Sequence, residues 1–193
     1  MVRVLRTRAS TSMERTIDDF DVLSLNSIRW GELRATSSNA LLARSLLVRV
    51  YASERGVLDE LFEQACHQFT ASEAAYAIVP HLVQICATNS DLAIQIDALR
   101  IVGAVAAAQQ AHARSSAPVP ADLSLGFKRA LTRALHLAST LVGRGELSSE
   151  QTNDCLATIA ALRGNSNVAL LLFLSGAELW CPSCGEVIDY GER

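Results

Sequence analysis

The sequence predicts an all-α fold, a stack of antiparallel helix pairs, on three observations. Residues 71–105, ASEAAYAIVPHLVQICATNSDLAIQIDALRIVGAV, read as two consecutive amphipathic helices with the polar turn Asn89-Ser90-Asp91 between them. A pair of that size leaves an apolar stripe on each side of its own contact, and burying both stripes takes further pairs. Second, Ala and Leu dominate, aromatics make up only 5% of the chain, and alternating runs of Val, Ile and Thr are scarce, which favours helix over sheet. Third, helix pairs fall at about residues 40–69, 72–110 and 122–163, near the ~40-residue period of stacked helical repeats. At 193 residues the chain is long enough for one domain with a real core.

Residues 1–15 read as a disordered N-terminal tail. Arg3, Arg6 and Arg8, with no acid before Glu14, are compatible with three readings: a tail, an organelle transit segment, or a chain that begins at Met13. The helical domain is expected over residues 16–176. A short helix is predicted over 18–25, followed by a helical turn or two over 27–33 with Trp30 plugging the end of the core. Helix one is predicted over 40–52, carrying Leu42, Leu46 and Val50, with Leu41, Leu47 and Val48 widening the stripe. Helix two is predicted over 57–69, with Leu58, Leu61, Phe62, Ala65 and Phe69 on one side.

Ser72 caps helix three, over 72–87, where Pro80 removes one backbone donor and predicts a kink. Helix four, over 91–110, ends in the small residues 103–108, which allow another helix to approach closely. Residues 113–121, with two prolines and two serines, predict a loop that separates two blocks without splitting the core. Asp122 is expected to cap helix five, whose residues Leu123, Phe127, Leu131, Leu135, Ala138 and Leu141 share one face until Gly143 and Gly145 end it. Helix six opens at Leu147-Ser148-Ser149-Glu150 and stops at Gly164-Asn165. Helix seven, over 167–174, is apolar nearly all round and is expected in the core. Residues 177–193 change character and form a C-terminal tail.

Val79-Pro80-His81-Leu82-Val83-Gln84-Ile85, followed by Asp91, Gln95, Ala98-Leu99 and Val102-Gly103, resembles a HEAT repeat. The arginine usual near the start of that repeat's second helix is replaced by Gln95. Trp30, Cys66-His67-Gln68, Ala74-Ala75 and Val79-Pro80-His81-Leu82, with Ala161-Leu162-Arg163-Gly164-Asn165 and Cys181-Pro182-Ser183-Cys184-Gly185, are similar to a group of bacterial HEAT-like proteins without an assigned activity. The resemblance covers about residues 28–187. It implies an α-solenoid, an armadillo-like helical stack, and brings no chemistry with it. Where that group has glycine after the His-Gln pair, this chain has Phe69.

Cys181-Pro182-Ser183-Cys184-Gly185 is the motif with chemical content. Two thiolates at this spacing can grip Zn²⁺, with Cys181 and Cys184 as ligands, but a structural zinc needs four. The missing pair would come from His81, His112, His136 or Cys155, or from a second chain in a homodimer; otherwise the motif is a hook with two free thiols and there is no cofactor. A redox dithiol is disfavoured, because the motif follows a helix instead of opening one. Cys66-His67 is tempting as nucleophile and base, yet neighbours on a helix do not face one another. His81, His112 and His136 read as boundary or surface positions, and Cys66, Cys86 and Cys155 as buried free thiols. No phosphate loop, H-E-x-x-H or G-x-S-x-G occurs, and no catalytic residues are assigned.

The net charge of −3 argues against a general nucleic-acid binder, although Lys128, Arg129 and Arg133 sit together. No run of 18 apolar residues predicts a membrane span, and unpaired thiols suit a cytoplasmic setting. The expected function is non-catalytic protein binding through a concave face made by the second helix of each pair, with Glu60, Gln64, Gln95, Arg100 and Arg133 as candidate contacts. A zinc-dependent module and a toxin-neutralising immunity protein are the alternatives.

Overall fold

The computed structural model describes residues 22–36, 39–174, 179–180 and 187–188. The expected N-terminal tail, Cys181 and Cys184 lie outside the described residues. Within them the fold is helical, with seven α-helices and two two-stranded hairpins.

Residues 22–26 form loop and turn, so the short helix expected up to residue 25 does not continue there. A 3-10 turn at Ile28–Gly31 follows, capped by the Ser27 hydroxyl, which accepts from the Arg29 amide. Trp30 is fully buried and its indole N–H donates to the Ser24 carbonyl at 3.0 Å. The large ring thus closes one end of the core without stranding its polar atom.

Helix α1 spans Leu41–Tyr51 and α2 spans Leu58–Ala65. Of the broad stripe expected on α1, Leu46, Leu47 and Val50 are buried while Leu41, Leu42 and Val48 face solvent. Helix α2 stops four residues short of the sequence expectation. Cys66–His67 (β1) and Thr70–Ala71 (β2) instead pair antiparallel around a tight turn in which Gln68 (φ 47°) and Phe69 (φ 53°) are both left-handed. Non-local contacts explain the override. The Ala71 amide donates to the Ser116 hydroxyl at 3.1 Å and its carbonyl accepts from the Ala117 amide at 2.9 Å. The Phe69 ring lies 6.4 Å from that of Phe173. A continued helix would forgo all three contacts.

Helix α3 spans Glu73–Thr88 and runs through Pro80; the Ser72 hydroxyl caps it, accepting from the Ala75 amide at 3.3 Å. Helix α4, Leu92–Ala111, is capped by Asp91, whose carboxylate accepts from the Ala93 amide at 2.9 Å. By length and composition α4 could cross a membrane, but here most of it is buried against α3, α6 and α7. Residues 113–121 form the expected connection. Its Ser116 and Ala117 fasten back onto β2, and the Tyr76 hydroxyl donates to the Ala117 carbonyl.

Helix α5 spans Ser124–Arg144 and ends in Gly145 at φ 70°, a conformation glycine adopts at no steric cost. Asp122 does not cap α5. The N-cap is Leu123, without a side-chain bond, because the Asp122 carboxylate is taken by Arg29 at 3.0 Å. Helix α6, Ser149–Leu162, opens with a reciprocal Ser148–Gln151 capping box. Helix α7 spans Ser166–Leu174. It packs on α4 and α6 at the C-terminal end rather than inside the core: Ala169 is buried, while Val168 and Leu171 are exposed. Strands β3 (Leu179–Trp180) and β4 (Val187–Ile188) pair antiparallel, Leu179 opposite Ile188.

One continuous core runs from Trp30 to Cys155 across the 113–121 connection, with Leu46, Leu61, Tyr76, Leu82, Leu99 and Phe127 among its members. Tyr76 and Phe127 meet edge to face at 4.9 Å. Much of the rest is alanine, so helix axes come close instead of being propped apart by large side chains.

Candidate functional site

A groove of about 910 Å³ is lined from α2, α4, α6 and α7, the segment before α2, and Phe69 of the first hairpin. Each element contributes one face. Asp97, Arg100 and Ala104 lie on one side of α4, spaced three and four residues apart. On α6 the groove-facing turn carries Glu150, Asn153 and Asp154, and on α2 it carries Asp59 and Phe62. The Asn153 amide donates to the Leu172 carbonyl at 2.7 Å, which holds this turn of α6 beside Phe173.

Two of the four carboxylates in the groove are paired within it. Arg55 Nε donates to Asp97 at 2.9 Å and Arg100 Nη2 donates to Asp59 at 2.8 Å. The Arg100 guanidinium also lies 5.7 Å over the Phe62 ring, a cation–π arrangement, while its buried Nε has no hydrogen-bond partner among the described residues. Glu150 and Asp154 make no ion pair with any described residue. Burial pushes the Asp154 carboxyl above its usual range; nearby Glu150 and Asp97 push the same way and Arg100 opposes them.

Of the residues singled out by sequence, the structure brings Arg100 into this groove. Glu60 is exposed on α2 outside the lining. Gln64 is buried, 7% exposed, and its Oε1 has no partner among the described residues. Gln95 closes the α3–α4 turn, its amide donating to the Asn89 carbonyl at 2.5 Å. Arg133 belongs to α5, which contributes no residue to the lining. Sequence reasoning missed Asp59, Phe62, Asp97, Glu150, Asp154 and Phe173. The available signals were the charged pair Asp97 and Arg100 within an otherwise uncharged helix, and like charges four residues apart at 150 and 154.

Cys66 and His67 lie on a strand, not a helix, and point to opposite faces. Cys66 is buried, with burial pushing its thiol up to about 12, and Cys86 and Cys155 are buried and raised to about 12 and 11 by the same cause. Such thiols stay protonated and unreactive at neutral pH. His81 is not a boundary residue. It is 3% exposed, with Nε2–H donating to the Leu23 carbonyl at 2.9 Å, while the Tyr51 hydroxyl, with one proton to donate, lies 3.0 Å from Nδ1 and 2.9 Å from Gln84 Oε1. Trp30 and Tyr51 flank the ring at 5.9 and 5.8 Å. Both ring nitrogens are occupied, and burial lowers the imidazole to about 4. His81 therefore ties the N-terminal segment and α1 to α3 as a neutral group, and neither it nor the buried Cys155 is placed as a free metal ligand. Among the described residues no group of three or more His, Cys, Asp or Glu side chains is arranged to hold a metal.

The chain matches no protein-family profile, no curated protein and no solved structure.

Proposed function

We propose that this chain is a non-catalytic protein-binding scaffold of the HEAT type. In this reading α1–α2, α3–α4 and α5–α6 are successive antiparallel repeats. The pattern of neighbours supports it: α3 touches both α1 and α5, α4 touches both α2 and α6, and each helix also touches its own pair partner. First helices then form one row, second helices the other, and α7 covers the last repeat. The observation that carries the function is the groove of about 910 Å³ on the row of second helices, which sets phenylalanine faces beside carboxylates. A mixed apolar and charged trough of this kind holds a segment of another protein by burying side chains and orienting them with charge.

A photo-crosslinking amino acid tests the reading. Placed at Ser149, which lines the groove, it should join the chain to a discrete protein in native cells; placed at Arg129, on the outer face of α5, it should not. Equal adducts from both positions, or none from Ser149, would refute docking in the groove.

A further inference from the structure

The groove contains the same recognition unit twice, and only one copy has its cation. In the first copy, Arg100 lies over the Phe62 ring while its guanidinium donates to Asp59 at 2.8 Å. In the second, Phe69 and Phe173 stand 6.4 Å apart, and the α6 turn bearing Glu150 and Asp154 is fastened beside Phe173 by the Asn153 bond to the Leu172 carbonyl. Aromatic surface and carboxylates are present there, but no guanidinium from a described residue. The four carboxylates of the lining, Asp59, Asp97, Glu150 and Asp154, face two cations, Arg55 and Arg100, and both cations are engaged by the first two acids.

We infer that the second half of the groove receives an arginine side chain from the partner's bound segment, its guanidinium held by Glu150 and Asp154 against the rings of Phe69 and Phe173. This deepens the docking reading above and rests on it. Arginine fits better than lysine for two reasons. Its planar fork can donate to two carboxylate oxygens at once, and its flat, weakly hydrated face lies on aromatic carbon, whereas an ammonium keeps its water. The local cost points the same way. Glu150 and Asp154 are spaced i and i+4 on α6, where like charges repel, and the one cation that acts on Asp154, Arg100, does so from a distance while bonded to Asp59. Asp154 is in addition half-buried, so it is held without solvent's full screening. An incoming cation relieves both the repulsion and the desolvation.

The test uses the full chain, observed by backbone-amide NMR at low salt, and four capped alanine pentapeptides whose central residue is arginine, lysine, citrulline or glutamate. The arginine peptide should give saturable shifts at Glu150, Asn153, Asp154 and Phe173. The lysine peptide should bind at least about fivefold more weakly, and citrulline, which keeps the shape without the charge, should not saturate. Asp154→Asn should weaken arginine-peptide binding by about fivefold or more, the typical loss of a charge-assisted bond. Glu146→Gln, exposed and outside the groove, should leave it unchanged. Equal binding by lysine or citrulline, or an unaffected Asp154→Asn chain, overturns the arginine assignment. A glutamate or citrulline peptide that saturates at the same amides overturns it too, while leaving docking intact. If no peptide shifts these amides the arginine assignment also falls, and the Ser149 crosslinks decide independently whether the groove docks protein.

Discussion

A Cβ placed on Gly103 of α4 would lie 2.8 Å from the Cα and 2.5 Å from the hydroxyl oxygen of Thr158 on α6. That hydroxyl donates to the Leu99 carbonyl at 3.0 Å, one turn back along α4. The two helices therefore meet backbone to side chain with no room for a methyl group, and Phe173 of α7 closes on the same point. The groove depends on this contact, because Asp97 and Arg100 on α4 face Glu150 and Asp154 on α6 at the spacing that Gly103 and Thr158 fix.

Gly103→Ala should destabilise the fold by about 1–3 kcal/mol, since a backbone atom blocks the new methyl and one helix must shift. Gly143 supplies the contrast. It too is helical, in α5, but is exposed, and nothing lies within 4 Å of its added Cβ. Gly143→Ala should stabilise by about 0.5–1 kcal/mol through helix propensity alone. Urea unfolding of both variants checks the pair, and a neutral Gly103→Ala would mean the helices are not in register at that point.

Stability should fall as pH drops from 7 to 5, and His81 should be the cause. The folded imidazole stays neutral down to about 4, while an unfolded histidine takes its proton near 6.5. Between these values the unfolded chain binds the extra proton, so acid favours unfolding; above the window both states are neutral and the effect vanishes. The expected loss is about 2 kcal/mol by pH 5. The carboxylates held low by arginines, Glu54, Glu73 and Asp122, add their own loss only below the ordinary carboxyl range. His81→Gln should be less stable at pH 7 yet flatter between pH 7 and 5. An equally steep profile in that variant would assign the acid sensitivity elsewhere.

Local signals were readable in the sequence where local forces decide. The core positions Phe127, Ala138 and Leu141 of α5, the glycine at 145, the cap at Ser72, the opening of α6 at residues 147–150, and the small stripe that begins at Gly103 all follow from spacing and side-chain chemistry, whereas Leu135, expected on the same face of α5, is only partly buried. Features set by distant partners were not readable. Asp122 has the chemistry of a cap but is claimed by Arg29, 93 residues away. His81 sits among apolar neighbours, and only Leu23 and Tyr51 explain why it is buried. Little of the groove was legible: of the five residues named from sequence Arg100 alone lines it, and which residues of α6 face it depends on how α4 and α6 cross.

The hairpin between α2 and α3 should tolerate a better turn residue. Two adjacent left-handed residues define the turn that Asn and Gly favour, and Gln68 and Phe69 each occupy it at a cost. Gln68 is exposed, so Gln68→Asn removes strain without removing packing. A gain of about 0.5–1 kcal/mol in urea unfolding is expected. Phe69→Gly, in contrast, should not gain, because it also removes the ring that meets Phe173. A stabilised Phe69→Gly would show that this aromatic contact carries no energy and weaken its place in the groove.

Asp154→Asn should make the unliganded chain more stable at neutral pH. Burial raises the folded carboxyl, so above its range the ionised form penalises the folded state more than the unfolded one. Ionisation therefore lowers stability as pH rises through that window, and an amide of the same shape avoids the loss. The repulsion from Glu150, one turn away, disappears as well, and the sum should be about 0.5 kcal/mol or slightly more, discounted because the group is half in water. At pH 3, below the unfolded carboxyl's own range, both side chains are neutral and the advantage should vanish. The same substitution is expected to weaken the arginine peptide, so stability and binding should move in opposite directions at one atom. A chain that loses stability on Asp154→Asn would mean that the carboxylate is already satisfied within the fold and has no charge to offer a partner.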